Sequence, residues 1–272
     1  MEKVQLILIF VVTAYAGVCA TMYFLQERLI FPAHMVDKAT LNNNDNTEHL
    51  ELRSTDNKIT LHGIAFNPQE KTKDLVIVFS GNAQNAKLLA QDVHKSLPNA
   101  TIAAFNYRGY GRSEGSPSQK AIFADTLKQI DFLIEKFEPK KTYFLGYSLG
   151  TGVISQLLSK HQVDGAFMLT PFDSVTSVAK TTYPYLPINF LIKHPFRSIK
   201  NLKNNKTPLA VITVNNDDVI PQKNIDNFIA GVSPIIFQQQ LSGVNHGYLF
   251  HHKKMAETLQ KAKEALEGYG KS

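Results

Sequence analysis

Nine residues near the middle of the chain, Thr142-Tyr143-Phe144-Leu145-Gly146-Tyr147-Ser148-Leu149-Gly150, constrain the fold more tightly than any other stretch. An apolar run enters Gly-Tyr-Ser-Leu-Gly, and a segment with helical spacing, Val153 to His161, follows at once. The order is strand, sharp turn, helix, with a serine at the apex. A serine held on a strained strand-to-helix turn needs small residues two positions away on each side, because their backbones crowd it. Gly146 and Gly150 provide that space, and Ser148 is expected to point its hydroxyl out of the sheet edge toward solvent. The helix start behind it offers unpaired N–H groups and the positive end of a dipole. Taken alone, the five residues also fit a small-residue turn with no chemistry, so the rest of the chain has to decide.

The surrounding pattern is that of an α/β protein. His49 to Arg53 and Ile59 to Phe66 alternate apolar with polar or small residues on either side of Ser54-Thr55-Asp56-Asn57-Lys58, which predicts an antiparallel hairpin. A polar, Asn-rich joint at Asn42 to Thr47 precedes it and reads as a loop. Buried-strand runs follow at Leu75 to Phe79, Ile102 to Asn106, Val163 to Leu169, Leu209 to Val214 and Pro234 to Gln240. Helical spacing recurs at Ala83 to Leu97, Gln119 to Phe137, Val153 to His161 and His252 to Glu267. Strands alternating with helices predict a mostly parallel central sheet with helices on both faces, after an antiparallel N-terminal hairpin. Residues 171–206 break the rhythm with Pro184, Pro187 and Pro195 inside an aromatic, apolar stretch. They read as a small cap or lid inserted after the sixth strand, or as helix packed on the rim.

The N-terminus is a second strong signal. Val4 to Leu25 is almost unbroken apolar sequence, and at 1.5 Å per residue these roughly 22 residues span about 33 Å, enough for a bilayer core. Residues 1–25 are therefore expected to be a single-pass membrane anchor or uncleaved signal, with 26–272 forming the folded domain. A cleaved signal peptide competes, since Ala14-Tyr15-Ala16 resembles a cleavage site; a lipoprotein reading is weaker, with Val18 before Cys19. The segment's length and its direct passage into Leu29-Ile30-Phe31-Pro32 favour the anchor. Both leading readings put the domain on the non-cytoplasmic side.

Composition narrows the alternatives. An apolar share of 43% against 19% charged supports a large core, and the single cysteine, Cys19, excludes an internal disulfide. The net charge of +6 is spread over scattered Lys and Arg residues, as on a solvated face or one drawn to an anionic membrane. No zinc-finger spacing and no basic stripe interleaved with aromatics appears, so nucleic-acid partners are not expected. No cofactor or metal is implied, and the oligomeric state is not readable.

A serine nucleophile needs a base, a group to orient that base, and donors for the oxyanion. In such a sheet the reactive groups sit at the carboxyl ends of strands. Of nine histidines, His246 alone lies in a Gly-bracketed turn, Ser242-Gly243-Val244-Asn245-His246-Gly247, between the last strand and the last helix. The seventh strand runs into Asn215-Asn216-Asp217-Asp218-Val219-Ile220-Pro221, where one aspartate could hold the imidazole while the other caps the helix starting near Pro221. Oxyanion donors are expected from the amide of Leu149 and from that of Asn82, in the loop after the third strand, where Gly81 allows close approach.

Together these stretches resemble the α/β-hydrolase superfamily, and within it the membrane-anchored Bem46-like serine hydrolases. The resemblance covers essentially the whole chain. It rests on the apolar N-terminus with Gln26-Glu27-Arg28-Leu29-Ile30-Phe31-Pro32, on Ser80-Gly81-Asn82-Ala83 and on Asn106-Tyr107-Arg108-Gly109-Tyr110-Gly111-Arg112-Ser113. Gly146-Tyr147-Ser148-Leu149-Gly150, Asp217-Asp218-Val219-Ile220-Pro221 and Asn245-His246-Gly247 complete it. The family pattern implies Ser148 as nucleophile, His246 as base and the acid four residues before Pro221, hence Asp217. The chain departs from it at Ser80, where the family usually has histidine before the Gly-Asn pair; that position supports the loop and bears on its rigidity. The implied activity is hydrolysis of carboxylic esters or thioesters, with a small-molecule or lipid-like ester as substrate. A serine peptidase on the same fold and a non-catalytic binding protein are the alternatives.

Overall fold

The computed structural model describes residues 1–38, 46–67 and 74–270. The joint expected over Asn42 to Thr47 lies outside the described residues except for its last two positions, and Thr47 already opens a strand. Eight strands form one sheet: β1 (Thr47–Arg53), β2 (Thr60–Phe66), β3 (Leu75–Phe79), β4 (Thr101–Phe105), β5 (Thr142–Tyr147), β6 (Gly165–Leu169), β7 (Leu209–Val214) and β8 (Ile235–Leu241). Their spatial order is β1-β2-β4-β3-β5-β6-β7-β8. β1 and β2 form the antiparallel hairpin, with Leu50 facing Gly63 and Leu52 facing Leu61, and β2 also runs antiparallel to β4. From β3 to β8 every pairing is parallel.

The two-residue period of the central strands divides the core into two layers. Ile77 and Phe79 of β3 and Phe144 of β5 face one side, where they meet α3 (Gln119–Phe137), α4 (Leu149–Leu157) and α8 (Gln222–Gly231) through Ile130, Ile154 and Phe228. Val76, Val78 and Leu145 face the other side, against α2 (Ala86–Ser96) and α9 (Met255–Gly268) through Val93 and Leu259. Both faces are covered, so the strands carry no polar side and read as continuous apolar runs. Between β6 and β7 the chain makes three short helices, α5 (Val175–Thr182), α6 (Ile188–Leu191) and α7 (Ser198–Leu202).

α1 (Glu2–Ile30) is a continuous helix that passes through residue 25 without a break. Among the described residues it is the one helix long and apolar enough to cross a membrane. Its last turn is bolted to the body. Phe31 is buried, with its ring 5.1 Å from that of His194 and 6.1 Å from that of Phe196. Gln26 is buried too: its amide donates to the Leu191 carbonyl at 2.8 Å and accepts from the Lys193 N–H at 2.7 Å.

Several boundaries differ from the sequence reading, among them the start of α2 at Ala86 rather than Ala83 and the end of α4 at Leu157 rather than His161. α4 starts at Leu149, four residues before the helical spacing became visible at Val153. Gly150, Thr151 and Gly152 look like loop in sequence but are helical because this helix is packed too tightly on the sheet for larger residues. A Cβ on Gly150 would lie 2.1 Å from the Phe79 carbonyl oxygen. β6 begins at Gly165, two residues after the start of its apolar run, and α9 begins at Met255, three residues after His252.

Candidate active site

The serine turn has the geometry its sequence demands. Ser148 sits at φ 52°, ψ −116°, a left-handed conformation that a residue with a Cβ adopts only when the surroundings enforce it. Its N–H donates to the Leu169 carbonyl at 2.9 Å and its carbonyl accepts from the Thr151 N–H at 2.9 Å, so both sides of the turn are tied. A Cβ on Gly146 would lie 2.7 Å from the Gly150 carbonyl, which shows why both flanks of the turn are glycine. One expectation is corrected. The Ser148 hydroxyl does not lie on the open surface: the residue is 5% exposed and lines a cavity walled by α1 and the α5–α6 region.

Of the two aspartates after β7, Asp217 lies where it was expected, on the imidazole, and Asp218 does different work from that expected. Asp217 reaches His246 Nδ1 with both carboxylate oxygens, at 2.9 and 2.8 Å, and its side chain is 1% exposed. The same carboxylate closes its own turn, accepting the N–H groups of Val219 at 3.0 Å and Ile220 at 2.7 Å. Asp218 caps no helix: α8 is preceded by Pro221 and has no side-chain cap. Asp218 instead crosses to the other loop, accepting the His246 N–H at 3.2 Å and the Asn245 side-chain amide at 3.3 Å. One carboxylate therefore fixes the imidazole and its neighbour fixes the backbone that carries it. Asp173, after β6, is a rival acid by position but is occupied by Asn224 and Asn227 at 2.9 and 3.0 Å.

His246 opens a short 3-10 turn, His246–His251, and is buried. Tyr147, the residue before Ser148, stacks its ring on the imidazole with centroids 5.3 Å apart and planes at 26°. Its hydroxyl donates to the His246 carbonyl. Burial, followed by the nearby Asp217 and Asp218 charges, pushes the Tyr147 phenol far above its ordinary value, so it stays a protonated donor. The serine and the histidine, on different loops, are thus coupled through Tyr147. No hydrogen bond joins the Ser148 hydroxyl to His246 directly.

Asn82 and Leu149 line the same cavity as Ser148. Leu149 is the first residue of α4, so its N–H has no acceptor within the helix. The Asn82 loop is held from behind: Tyr107 donates to the Ser80 carbonyl at 3.0 Å and Tyr110 to the Asn82 carbonyl at 2.7 Å. Gly81 lies against the turn, its would-be Cβ 3.6 Å from that of Ser148. The Ser80 hydroxyl is buried and unpartnered, so the two tyrosines and not this side chain anchor the loop. They belong to the Tyr107-Arg108-Gly109-Tyr110-Gly111 turn, which is itself pinned by a two-pronged Arg108–Asp125 pair at 2.7 and 2.9 Å.

The cavity, about 330 Å³, is apolar. Its walls include Phe172, Val175 and Val178 from the stretch after β6, Val219 and Ile220 from the Asp217 loop, and Met22, Gln26, Leu29 and Ile30 from α1. The contribution of α1 was not foreseen from sequence, where the apolar run reads as an anchor separate from the domain. Among the described residues no group of three or more His, Cys, Asp or Glu side chains could hold a metal ion.

An eight-stranded, mostly parallel sheet with a serine elbow after β5, an acid after β7 and a histidine after β8 is the α/β-hydrolase fold. The alpha/beta hydrolase fold family matches residues 74–197, a region that contains Ser148 and ends before Asp217 and His246. A Pyrococcus furiosus esterase of solved structure superposes with a TM-score of 0.66 at 17% identity, over 86% of this chain and 98% of that one. Protein bem46 of Schizosaccharomyces pombe is 26% identical over 217 residues, 74% of this chain and 72% of that protein. The lysophosphatidylserine lipase ABHD12 of Danio rerio is 29% identical over 138 residues, 44% of this chain and 36% of that protein. An uncharacterised Mycobacterium tuberculosis protein is 27% identical over 174 residues, 63% of this chain and 62% of that protein. The matched region thus spans less than two thirds of the length of the zebrafish and Mycobacterium tuberculosis relatives. The chain has the α/β-hydrolase fold, and its sequence is similar to bem46 and ABHD12.

Proposed function

We propose that this protein is a membrane-anchored serine hydrolase acting on carboxylic esters or thioesters of lipid-like substrates. The observation that carries the reading is the apolar cavity above Ser148, closed on one side by a helix of membrane-spanning length. In this reading the Ser148 hydroxyl attacks the acyl carbon while His246 takes its proton. The C–O or C–S bond then breaks, and His246 returns the proton to the departing alcohol or thiol. Water, deprotonated by His246, adds to the acyl-enzyme, releases the carboxylic acid and regenerates Ser148. Asp217 holds the imidazole with Nδ1 protonated, leaving Nε2 free to act as base. The N–H groups of Leu149 and Asn82 face the oxyanion, and donors of this kind contribute about 10²–10³ each in rate.

The lining argues against a peptide substrate, because an extended backbone would find few polar partners among these aliphatic and aromatic walls. The name of the zebrafish relative, a lysophosphatidylserine lipase, supports an acylated lipid as the substrate class. Residues 1–25 serve as anchor, 26–272 as the hydrolase domain and 171–206 as its cap, with the domain on the non-cytoplasmic side. Protease protection in sealed vesicles checks that orientation. The activity is tested with p-nitrophenyl esters from acetate to palmitate, a palmitoyl thioester and a peptide. Ester cleavage that improves with acyl length supports the proposal; faster cleavage of the peptide, or none of the esters, removes it.

A further inference from the structure

The cavity over Ser148 does not end at the domain. A second apolar hollow adjoins it along α1, and the two share Met22, Thr182, Tyr183 and Leu186 as walls. The far hollow is bounded on the helix side by Ala14, Gly17, Val18 and Thr21. These positions recur at intervals of three and four residues and continue through Met22, Gln26, Leu29 and Ile30, which line the first cavity. One face of one helix therefore borders both spaces. At its N-terminal end that face is made of small residues, which leave a groove between the helix and the loop at 183–186. Tyr15 bridges the groove's edge, donating to the Tyr185 carbonyl at 2.7 Å.

The groove runs along the apolar part of α1. Ala14 to Met22 falls inside the apolar run Val4 to Leu25, and these nine residues carry the groove about 12 Å along the helix axis. The cap beside it presents Tyr185 and Phe190, 89% and 87% exposed, with nothing of the fold packed on them. Exposed aromatic side chains of this kind suit a surface in contact with lipid. Lys193, 4.2 Å from the Tyr23 ring centroid, adds a cation at the other end of the groove, eight residues beyond Tyr15 along α1.

We infer that α1 is one wall of a lateral acyl channel, running from the bilayer to Ser148, through which a single-chain membrane ester enters without leaving the lipid phase. This rests on the hydrolase reading and adds the substrate's form and its route. The acyl chain lies along the Ala14–Met22 face, the ester reaches Ser148, and the polar head stays at the rim near the cap. Gln26, clamped to Leu191 and Lys193, sets the helix angle that keeps the channel open.

Gly17 offers a probe, because it borders the groove and a Cβ there meets nothing within 4 Å. Full-length Gly17→Phe in phosphatidylcholine vesicles is compared with wild type on a palmitoyl and a butyryl monoester. The ratio of palmitoyl to butyryl kcat/KM is expected to fall at least about tenfold; a ratio within about twofold of wild type overturns the channel. A binding readout separates this from the hydrolase reading. Ser148→Ala protein in the same vesicles is irradiated with a monoacyl glycerophospholipid carrying a diazirine at the chain end. Crosslinks on residues 14–22 and 182–186 support the channel even if no ester is cleaved. Crosslinks confined to the outer helix surface at residues 6–12, with butyryl ester still hydrolysed by wild type, remove the channel and leave the hydrolase.

Discussion

Tyr147 grips His246 at two points: its ring stacks on the imidazole at 5.3 Å and its hydroxyl donates to the same residue's carbonyl. Because Tyr147 precedes Ser148 in the chain, it ties the strained turn to the histidine loop. Tyr147→Phe keeps the stacking and removes the hydrogen bond, whose net worth is about 0.5–1.5 kcal/mol. Ester hydrolysis is expected to fall about three- to tenfold, mainly in kcat. Tyr147→Ala loses both contacts and should cost considerably more. Equal rates for wild type and Tyr147→Phe would show that the hydroxyl does not position the histidine.

The adjacent aspartates make a sharper pair. Asp217→Asn leaves a side chain of the same shape but no longer favours the Nδ1-protonated tautomer of His246. Its kcat should drop by about 10³–10⁴, as for tautomer loss in related triads. Asp218→Asn weakens only the bonds to the His246 and Asn245 groups, and a loss of about tenfold or less is expected. Steady-state kinetics of the two variants decides it; a larger loss for Asp218→Asn would exchange their roles.

Much of this was legible in the chain, for reasons particular residues make plain. Leu75 to Phe79 and Leu209 to Val214 are read to the residue because a strand buried on both faces has no polar position to confuse the pattern. Ser148 and His246 are recognisable because local glycines mark their turns. The assignments that needed correction depend on distant partners. Asp218 bonds to residues 27 and 28 positions away, and its part in holding the histidine loop has no local signature. Gln26 docks on a carbonyl 165 positions along the chain. In sequence Ala14 belongs to the Ala14-Tyr15-Ala16 stretch that resembles a cleavage site, and the groove it forms with Gly17 and Thr21 depends on the distant loop at 183–186.

Tyr110 tests the oxyanion loop. Its hydroxyl holds the Asn82 carbonyl at 2.7 Å, behind the N–H assigned to the oxyanion. Tyr110→Phe should lower kcat about three- to tenfold with little change in KM, because the donor is misplaced only in the transition state. A rise in KM at constant kcat would mean that the loop shapes the binding pocket instead.

Acid should destabilise the fold before carboxylates protonate. Burial holds His62, His94 and His194 below the ordinary histidine value, with Glu51 opposing this at His62 and Glu27 opposing it at His194. Near pH 6.5, where free histidine titrates, the unfolded chain therefore binds more protons than the native one. Stability falls as pH drops through that value and the loss is complete below the depressed native values. Tm should decrease between pH 7.5 and 5.5. His94 stacks on Phe66 at 5.1 Å with its Nδ1 unpartnered, so His94→Phe should flatten that slope. An unchanged slope would assign the effect to His62 and His194.

The central claim is that Ser148 is a nucleophile activated by His246. It is tested most directly by intact-protein and peptide mass spectrometry after treatment with a fluorophosphonate probe. The account predicts one covalent adduct on the peptide containing Ser148 in wild type, strongly slowed labelling in His246→Ala, and none in Ser148→Ala. Equal labelling of wild type and Ser148→Ala would contradict it.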